Sequence, residues 1–267
     1  MYHTIGFIGT GTMGTVLARA ASKGSPDSRL LFANRTPSKA RALAEELGGT
    51  AVSNEEIAQT CSLIFLGVKP QMMEEMLQGI APALAARKDR FVLATLAAGL
   101  KARRIQELAG GEYPVIRIMP NTPAAFGEGM TLYTRGTGVT EEEERQLLAA
   151  MAGAGQFSPL PERLMDAGAA VSGCRPAFVD LFIESLADGG VACGLSRSQA
   201  MELAIQTVLG SARLVQRSGQ HPGALKDAVC SPGGATIQGV RTLEAAGFRS
   251  AVMEAVIASW EKNADLR

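Results

Sequence analysis

"GFIGTGTMG", residues 6–14, places three glycines in the spacing Gly9-x-Gly11-x-x-Gly14 between an apolar run and a helical pattern. Gly9 permits a tight turn, Gly11 lets the backbone approach a pyrophosphate, and Gly14 lets the helix pack closely on the strand. The N–H groups at the start of that helix would face the phosphates. Alone the pattern is weak, because glycines also occur in tight turns that bind nothing. Within the alternation of strands and helices around it, the pattern predicts a dinucleotide site formed by Gly9, Gly11, Thr12, Met13 and Gly14.

The first half of the chain alternates short apolar runs with helical patterns. The runs are too short for helices and indicate buried strands; they lie at 4–9, 29–34, 62–68, 90–95 and 114–119, with two further strands near 129–134 and 155–158. Helical patterns lie at 12–24, 37–47, 70–80 and 101–109. Capping boxes that begin at Ser53 and Thr140, and the pair Thr36-Pro37, mark helix starts. This alternation predicts an α/β fold with a mostly parallel sheet covered on both faces.

The second half of the chain changes to helix alone, with patterns at 176–193, 197–217, 233–246 and 248–262. We therefore expect a Rossmann-type NAD(P)-binding domain over 1–160 and an all-α dimerisation domain over 161–267. The segment "AMELAIQTVLGSARLV" (200–215) is apolar on almost every face, so it must be buried all round. A second copy of the chain is the expected cover, and the central helix of a self-contained bundle is the alternative.

Composition argues against several classes of function. The 267 residues carry 26 basic and 26 acidic side chains, so a nucleic-acid-binding surface is not expected. The four cysteines, at 61, 174, 193 and 230, show no CxxC spacing, and only two histidines are present, so no metal is expected. Scattered cysteines indicate reduced thiols and a cytoplasmic protein. No apolar stretch approaches the roughly 20 residues that span a bilayer, and the N-terminus does not resemble a signal peptide, so no membrane partner is expected.

The end of the second predicted strand bears on the choice of dinucleotide. Chains that bind NAD usually carry an acid there, which binds the ribose 2′-hydroxyl. This chain has "ANRTPS", with Asn34, Arg35 and Thr36 and no acid. An arginine beside amide and hydroxyl groups suits a 2′-phosphate, although Arg35 could also be a solvated loop residue. The sequence therefore favours NADPH, with NADH as the weaker alternative.

The chain resembles the pyrroline-5-carboxylate reductase family along its whole length. The matching segments are "GFIGTGTMG", "LGVKPQ" (66–71), "LAAGL" (96–100), "RIMPNTPA" (117–124), "SRSQAMELAIQTVLGSA" (196–212) and "HPGALKDAVCSPGGATIQGVRTLEAAGFRSAVMEAV" (221–256), the last being the family signature. The resemblance implies a helical domain that interlocks with a second chain, an active site at the dimer interface and, in many members, further assembly as a ring. It also implies that the nicotinamide and phosphates are lined by Val68, Lys69, Pro70, Ala97, Ala98 and Gly99. Asn54 would lie near the adenosine half, and Asn121 follows a strand end, where open α/β sheets build their sites.

The segment "SPGGAT" (231–236) carries no acid, base or histidine. Ser231 followed by Pro232 predicts a helix N-cap and first helical position, with free N–H groups from Gly233 through Gly234 and Ala235 to Thr236 facing an anion. The resemblance implies that this anion is the carboxylate of a cyclic imine substrate, and that the Thr236 hydroxyl bonds the ring nitrogen as the catalytic candidate. A bare helix cap with glycines for packing is the alternative. Glu162 matches a common acid of the family and is a further candidate substrate contact.

The resemblance implies reduction of 1-pyrroline-5-carboxylate to proline, by hydride transfer from the nicotinamide C4 to the imine carbon. One segment departs from the family pattern: "VSGCRPAF" (171–178) stands where "VSGSGPAY" is usual, and Ala169 stands where threonine is frequent. Cys174 and Arg175 therefore leave open a paralogue that reduces a different imine or a carbonyl compound. A β-hydroxyacid dehydrogenase would need a lysine within 160–195, which has none. A non-catalytic NADP-binding regulatory protein would lose the substrate motif, which is intact.

Overall fold

The computed structural model describes residues 2–173 and 176–264, which form two compact units. The first unit takes the described residues of Met1–Cys174 and Ser259–Arg267, and the second takes those of Arg175–Ala258. Across these described ranges, every helix is too short or too polar to span a bilayer.

The first unit is built on one sheet of eight strands in the order β3-β2-β1-β4-β5-β6-β7-β8. The strands are β1 Thr4–Ile8, β2 Arg29–Ala33, β3 Thr50–Ala51, β4 Leu63–Leu66, β5 Val92–Thr95, β6 Val115–Met119, β7 Gly129–Arg135 and β8 Gly155–Pro159. All pairs are parallel except β6 with β7, which is antiparallel. The mostly parallel Rossmann-type sheet expected from the sequence is confirmed.

Helices cover both faces of this sheet. They are α1 Thr12–Gly24, α2 Pro37–Leu47, α3 Asn54–Thr60, α4 Pro70–Ala85, α5 Ala102–Ala109, α6 Glu141–Ala150 and α7 Met165–Ser172. Successive side chains of β4 enter different cores: Leu63 and Phe65 join one apolar cluster, and Ile64 and Leu66 join the other. Because a strand buried on both faces has no polar side, it is an unbroken apolar run in the sequence.

The start of α6 follows the predicted capping box. Thr140 Oγ1 accepts from the Glu143 N–H at 3.2 Å, and Glu143 Oε2 accepts from the Thr140 N–H at 2.8 Å. At α3, Ser53 Oγ accepts from the Glu56 N–H at 3.0 Å. The patterns did not predict α7 or the two-residue strand β3, and α4 runs to Ala85, past the expected end at 80.

The boundary between the two compact units lies at 174/175, later in the chain than the domain boundary expected at 160/161. The reason is α7, which packs against β7 of the sheet. Gly168 lies at this contact, where a Cβ would come within 2.5–2.6 Å of side-chain methyl carbons of Leu160 and Leu132, so a larger residue would require those side chains to move. Residues 161–173 therefore fold with the sheet, although they follow its last strand. The functional division at 160/161 stays a prediction.

The second unit is entirely helical among its described residues. Its helices are α8 Pro176–Ala192, α9 Arg197–Ser218, α10 Pro222–Ala228, α11 Ala235–Ala245 and α12 Phe248–Ala264, the last of which ends beyond the unit. Within the described part of 175–258, the buried apolar side chains are Ala187, Ala200 and Ala204, where α8 packs on α9. Large apolar side chains of α9 remain exposed in the single chain, among them Leu203 at 57% and Leu214 at 54%. The helix that the sequence expects to be buried all round is not buried by its own unit.

Candidate functional site

A cleft of about 910 Å³ lies at the carboxyl edge of the sheet in the first unit. It opens beside β1 and β4, where the order of strands reverses, which is where open α/β sheets bind dinucleotides. It brings together eight of the residues predicted for the cofactor, namely Gly9, Gly11, Asn34, Arg35, Thr36, Asn54, Val68 and Lys69.

Two glycines of the glycine loop are explained by packing within the protein. Gly9 has φ of 96°, and a Cβ there would lie 2.7–2.8 Å from the backbone of Gly67 and Val68. A Cβ on Gly14 would overlap the carbonyl oxygen of Gly9. Gly11 is different, because a Cβ there would meet no atom within 4 Å. Glycine at position 11 is thus not needed for the chain's own packing.

The space beside Gly11 lies at the start of α1. Gly11 is the N-cap of this helix and provides no side-chain cap, and Thr12, Met13 and Gly14 form the first turn. First-turn N–H groups have no partner within a helix, and together with the helix dipole they favour an anion. The structure therefore keeps an open approach to a helix N-terminus at the position where a pyrophosphate would lie.

Asn34 connects the glycine loop to the end of β2. Its Oδ1 accepts from the Thr10 N–H at 3.3 Å, and its Nδ2 donates to the Thr36 carbonyl at 3.1 Å. Both the oxygen and the nitrogen of the Asn34 side-chain amide are thus hydrogen-bonded to backbone groups. An aspartate at this position could accept from Thr10 but could not donate to Thr36.

Two cations line the cleft at the end of β2. Arg35 and Lys39 are both exposed there, and Arg35 Nη1 lies 3.9 Å from the Met72 sulfur. Sequence reasoning missed Lys39, although it lies four residues after Arg35 and just inside α2. The acids Glu55 and Glu75 also line the cleft. The Arg35 and Lys39 end of the cleft therefore favours a bound phosphate group, despite these two acids.

The loops after β4 and β5 form the other side of the predicted cofactor site. Val68 and Lys69 line the cleft, Lys69 is the N-cap of α4, and Pro70 is its first residue. The loop over 96–101 is fixed at its start, because the Leu96 N–H donates to the Leu66 carbonyl at 3.2 Å. That loop carries the three predicted residues Ala97, Ala98 and Gly99, which do not line the 910 Å³ cleft.

Asn121 and Glu162 have partners within the first unit that sequence reasoning missed. Asn121 Nδ2 donates to the Ser172 carbonyl at 3.1 Å, and its Oδ1 accepts from the Met130 N–H at 2.9 Å. Glu162 Oε1 accepts from the Ala102 N–H at 2.8 Å and from Arg117 Nη1 at 3.2 Å. Neither residue lines the cleft. The expected roles of Asn121 in binding the cofactor and of Glu162 in binding the substrate therefore stay predictions.

The "SPGGAT" segment of the second unit begins its helix later than predicted. Helix α11 starts at Ala235 with Gly234 as N-cap, so Ser231 is not the cap and Pro232 is not the first helical residue. The Gly234 N–H donates to the Ser231 carbonyl at 3.0 Å, which closes a turn around Pro232 and Gly233. Gly233 has φ of 69°, which places it in the left-handed region typical of the third residue of a type II turn.

This turn changes which N–H groups are available to an anion. The prediction included Gly234, but its N–H is used within the turn. The first turn of α11 offers instead the N–H groups of Ala235, Thr236 and Ile237, and Thr236 is exposed. An anion site at this helix start stays a prediction, now shifted toward the helix.

The unusual segment 171–178 is only partly described. Cys174 and Arg175 lie outside the described residues. Ala169 is buried on α7, and its carbonyl accepts from the Gly173 N–H at 2.8 Å.

Comparisons with known proteins match both halves of the chain. Residues 162–266 match the family model for pyrroline-5-carboxylate reductase dimerisation, and residues 4–98 match the model described as NADP oxidoreductase coenzyme F420-dependent. The pyrroline-5-carboxylate reductase of Pisum sativum is 42% identical over 267 residues, covering 99% of this chain and 96% of that one. The chain belongs to the pyrroline-5-carboxylate reductase family. The reductase of Escherichia coli is 40% identical over 269 residues, covering 100% and 99% of the two chains.

A solved structure agrees with this membership. The pyrroline carboxylate reductase of Plasmodium falciparum, determined with NADP bound, has a TM-score of 0.87 and 34% identity, and covers 98% of this chain and 97% of that one. The chain is therefore an oxidoreductase of the pyrroline-5-carboxylate reductase family with a Rossmann-type first unit, as the sequence predicted.

Proposed function

We propose that this protein reduces 1-pyrroline-5-carboxylate to L-proline with NADPH. The observation that carries the proposal is the match to pyrroline-5-carboxylate reductases over the whole chain, at 42% and 40% identity to the two relatives above. Two further features support the proposal: a cleft in the first unit that would take a dinucleotide, and the "SPGGAT" segment in the second unit, which would hold the substrate.

The residues of the cleft fit a dinucleotide with a 2′-phosphate. The open space beside Gly11 would be filled by a side chain at that position, and it leads to the first turn of α1, where the pyrophosphate would be held. Arg35 and Lys39 would bind the 2′-phosphate, with Thr36 beside them. Asn34 would act by holding the glycine loop and the 34–36 turn together. Asn54 would lie on the adenosine side.

The bound cofactor supplies a hydride from C4 of its nicotinamide ring. Val68, Lys69, Pro70 and the 97–99 loop would orient that ring, and the substrate's imine carbon would face it. With a hydride added to the imine carbon, the C=N π electrons would move to the nitrogen, which would take a proton from water and become the secondary amine of proline.

The start of α11 would hold the substrate. The N–H groups of Ala235 and Thr236 would bind the carboxylate, and the Thr236 hydroxyl would hydrogen-bond the ring nitrogen. Ser231, Gly233 and Gly234 would shape the turn that brings the substrate to this helix end. This assignment asks the segment to orient the substrate rather than to remove a proton, which agrees with its lack of acids and bases.

We further propose that the protein is a homodimer through its second unit. Exposed leucines on α9 and the small buried set on α8 and α9 support this assignment, because a unit with so little apolar burial needs cover from another chain. Assembly of dimers into a ring and a cytoplasmic location are parts of the same proposal.

The proposed reaction is tested with the purified protein, NADPH and 1-pyrroline-5-carboxylate, by following NADPH oxidation and identifying proline by mass spectrometry. A panel of cyclic imines without the carboxylate or with a larger ring, and a carbonyl analogue, serves as the comparison. We expect 1-pyrroline-5-carboxylate to give the highest kcat/KM. A higher value for another compound would favour the paralogue that the "VSGCRPAF" segment leaves open.

A further inference from the structure

A buried arginine lies on β6, the strand next to β5, whose following loop carries Ala97, Ala98 and Gly99. Arg117 projects from β6 with a side chain only 4% exposed. Its Nη1 lies 3.2 Å from Glu162 Oε1, and its Nη2 lies 4.0 Å from Asp166 Oδ1. The two carboxylates come from the segment that follows β8, far from Arg117 in sequence. A buried cation is tolerated only when it is paired, so these carboxylates keep Arg117 in place.

Glu162 also caps the N-terminus of α5. The Ala102 N–H, in the first turn of this helix, donates to Glu162 Oε1 at 2.8 Å. Lys101 is the N-cap of α5 and makes no side-chain cap bond. A carboxylate from a distant segment therefore supplies the cap that the local sequence lacks, and its negative charge suits a helix N-terminus.

This cap fixes one end of the 96–101 loop. Its other end is tied to β4, because the Leu96 N–H donates to the Leu66 carbonyl. The two bonds hold the loop between the carboxyl end of β5 and the start of α5. Val68 and Lys69, which line the cleft, follow β4, the strand next to β5. The loop thus lies on the side of the switch point opposite Arg35.

We propose that Glu162, held by Arg117, is a positioning residue that sets the 97–99 loop against the nicotinamide ring and so controls the rate of hydride transfer. The inference rests on the proposed function for the reaction it affects. It differs from the expectation that Glu162 contacts the substrate, because Glu162 acts here through the Ala102 N–H. Displacement of a reacting group by 1 Å can cost about 100-fold in rate, so a modest shift of this loop is measurable.

The test uses Glu162→Gln, which keeps the size of the side chain and an oxygen for Ala102 but loses the charge that pairs with Arg117. We expect the single-turnover rate with NADPH to fall by roughly tenfold. The dissociation constant of NADPH should change by less than about threefold, because Glu162 does not line the cleft in which the cofactor's phosphates would bind. Glu162→Ala should be slower still, and Glu162→Gln carries the test if the alanine variant does not fold.

Asp89→Asn is the matched control. Arg87 is also 4% exposed in its side chain and pairs with Asp89 at 2.5 Å, and neither residue lines the cleft. Loss of this pair should leave the single-turnover rate unchanged. If Asp89→Asn and Glu162→Gln lose rate and thermal stability in the same proportion, Glu162 is merely structural and the inference is overturned.

A readout without substrate separates this inference from the proposed function. The fluorescence of bound NADPH reports the surroundings of the nicotinamide ring, and we expect Glu162→Gln to change it in the binary complex. An unchanged spectrum together with a raised KM for 1-pyrroline-5-carboxylate would mean direct substrate contact and would overturn the positioning role. If the wild-type protein does not reduce 1-pyrroline-5-carboxylate, the proposed function fails, while the binary-complex spectrum still decides the role of Glu162.

Discussion

Replacement of Arg35 and Lys39 by alanine should remove the preference for NADPH without harming the use of NADH. Both side chains line the cleft at the end of β2, and both are exposed to water. A lost hydrogen bond to a charged partner costs about 1.5–3 kcal/mol, and exposure puts each cation near the lower value. Each single variant should therefore raise the KM for NADPH by about tenfold.

The double variant should raise the KM for NADPH by up to about 100-fold if the two effects add. The KM for NADH should stay within about twofold in every variant, because NADH has no 2′-phosphate for either cation to bind. Salt provides an independent check, since exposed charges are screened over about 8 Å at physiological ionic strength. Added salt should lower the NADPH preference of the wild type and have little effect on the double variant.

Arg41→Ala is the matched control for this experiment. Arg41 lies on α2 with Lys39 and carries the same charge. It does not line the main cleft but a neighbouring pocket, which Arg35 also lines. Steady-state kinetics with both cofactors should show it close to wild type. Equal increases of the KM for NADPH and NADH in Arg35→Ala would refute the reasoning, because they would make Arg35 a structural residue.

Three further predictions follow from the second unit and from the core. Thr236→Ala should lower kcat by about tenfold to a hundredfold with little change in NADPH binding. Thr236→Ser should lower kcat less, because the hydroxyl is kept. Equal losses of kcat in the two variants would show that the hydroxyl does not contribute to the reaction. Light scattering should find at least a dimer, and Leu209→Glu should weaken it, because Leu209 is another exposed leucine of α9. A stable wild-type monomer at micromolar concentration would contradict the homodimer. Burial raises the pKa of the Cys61 thiol to about 11. This thiol should therefore resist alkylation in the native protein at pH 8 and react after denaturation, which mass spectrometry can check. Rapid labelling of the native protein at Cys61 would contradict its buried position.

The strands and most helices could be predicted from the sequence because their signals are local. Strands such as β4 are buried on both faces, so they are continuous apolar runs that no other element of that length explains. The capping box at Thr140 is a local pattern with a single structural meaning, and the structure contains both of its hydrogen bonds. Where the conformation of a short segment depends on that segment alone, as at these two places, the sequence was sufficient to predict it.

The start of α11 shows where a local signal is ambiguous. Ser231 followed by Pro232 is typical of a helix start, but the same pair suits the first two positions of a β-turn. Gly233 separates the alternatives, because its φ of 69° lies outside any helix and the chain must pass through it before the helix begins. The signal in the sequence was the glycine itself: glycine readily adopts a left-handed conformation in the third position of a turn, and this could have placed the helix start at Ala235.

The partners of Glu162 could not be found by local reasoning. Ala102 lies 60 residues from Glu162 and Arg117 lies 45 residues away, so no spacing rule connects them. Their meeting depends on the tertiary packing that places residues 161–173, including α7, against the sheet. The charged cluster is therefore a consequence of tertiary structure, and only the identity of Glu162 as a residue of interest came from the sequence.

The two units also differ in how much of their stability each can supply alone. The first unit buries phenylalanines 7, 32 and 65 with stacked rings, and its cleft is lined by elements of that one unit. The second unit buries three alanines among its described residues and leaves leucines of α9 exposed, each of which could contribute about 1.5–3 kcal/mol if covered. Cofactor binding should therefore depend on the fold of the single chain. The proposed substrate segment belongs to the second unit, so its conformation should depend on association with a second chain. Loss of the dimer should therefore impair hydride transfer more than it impairs the binding of NADPH.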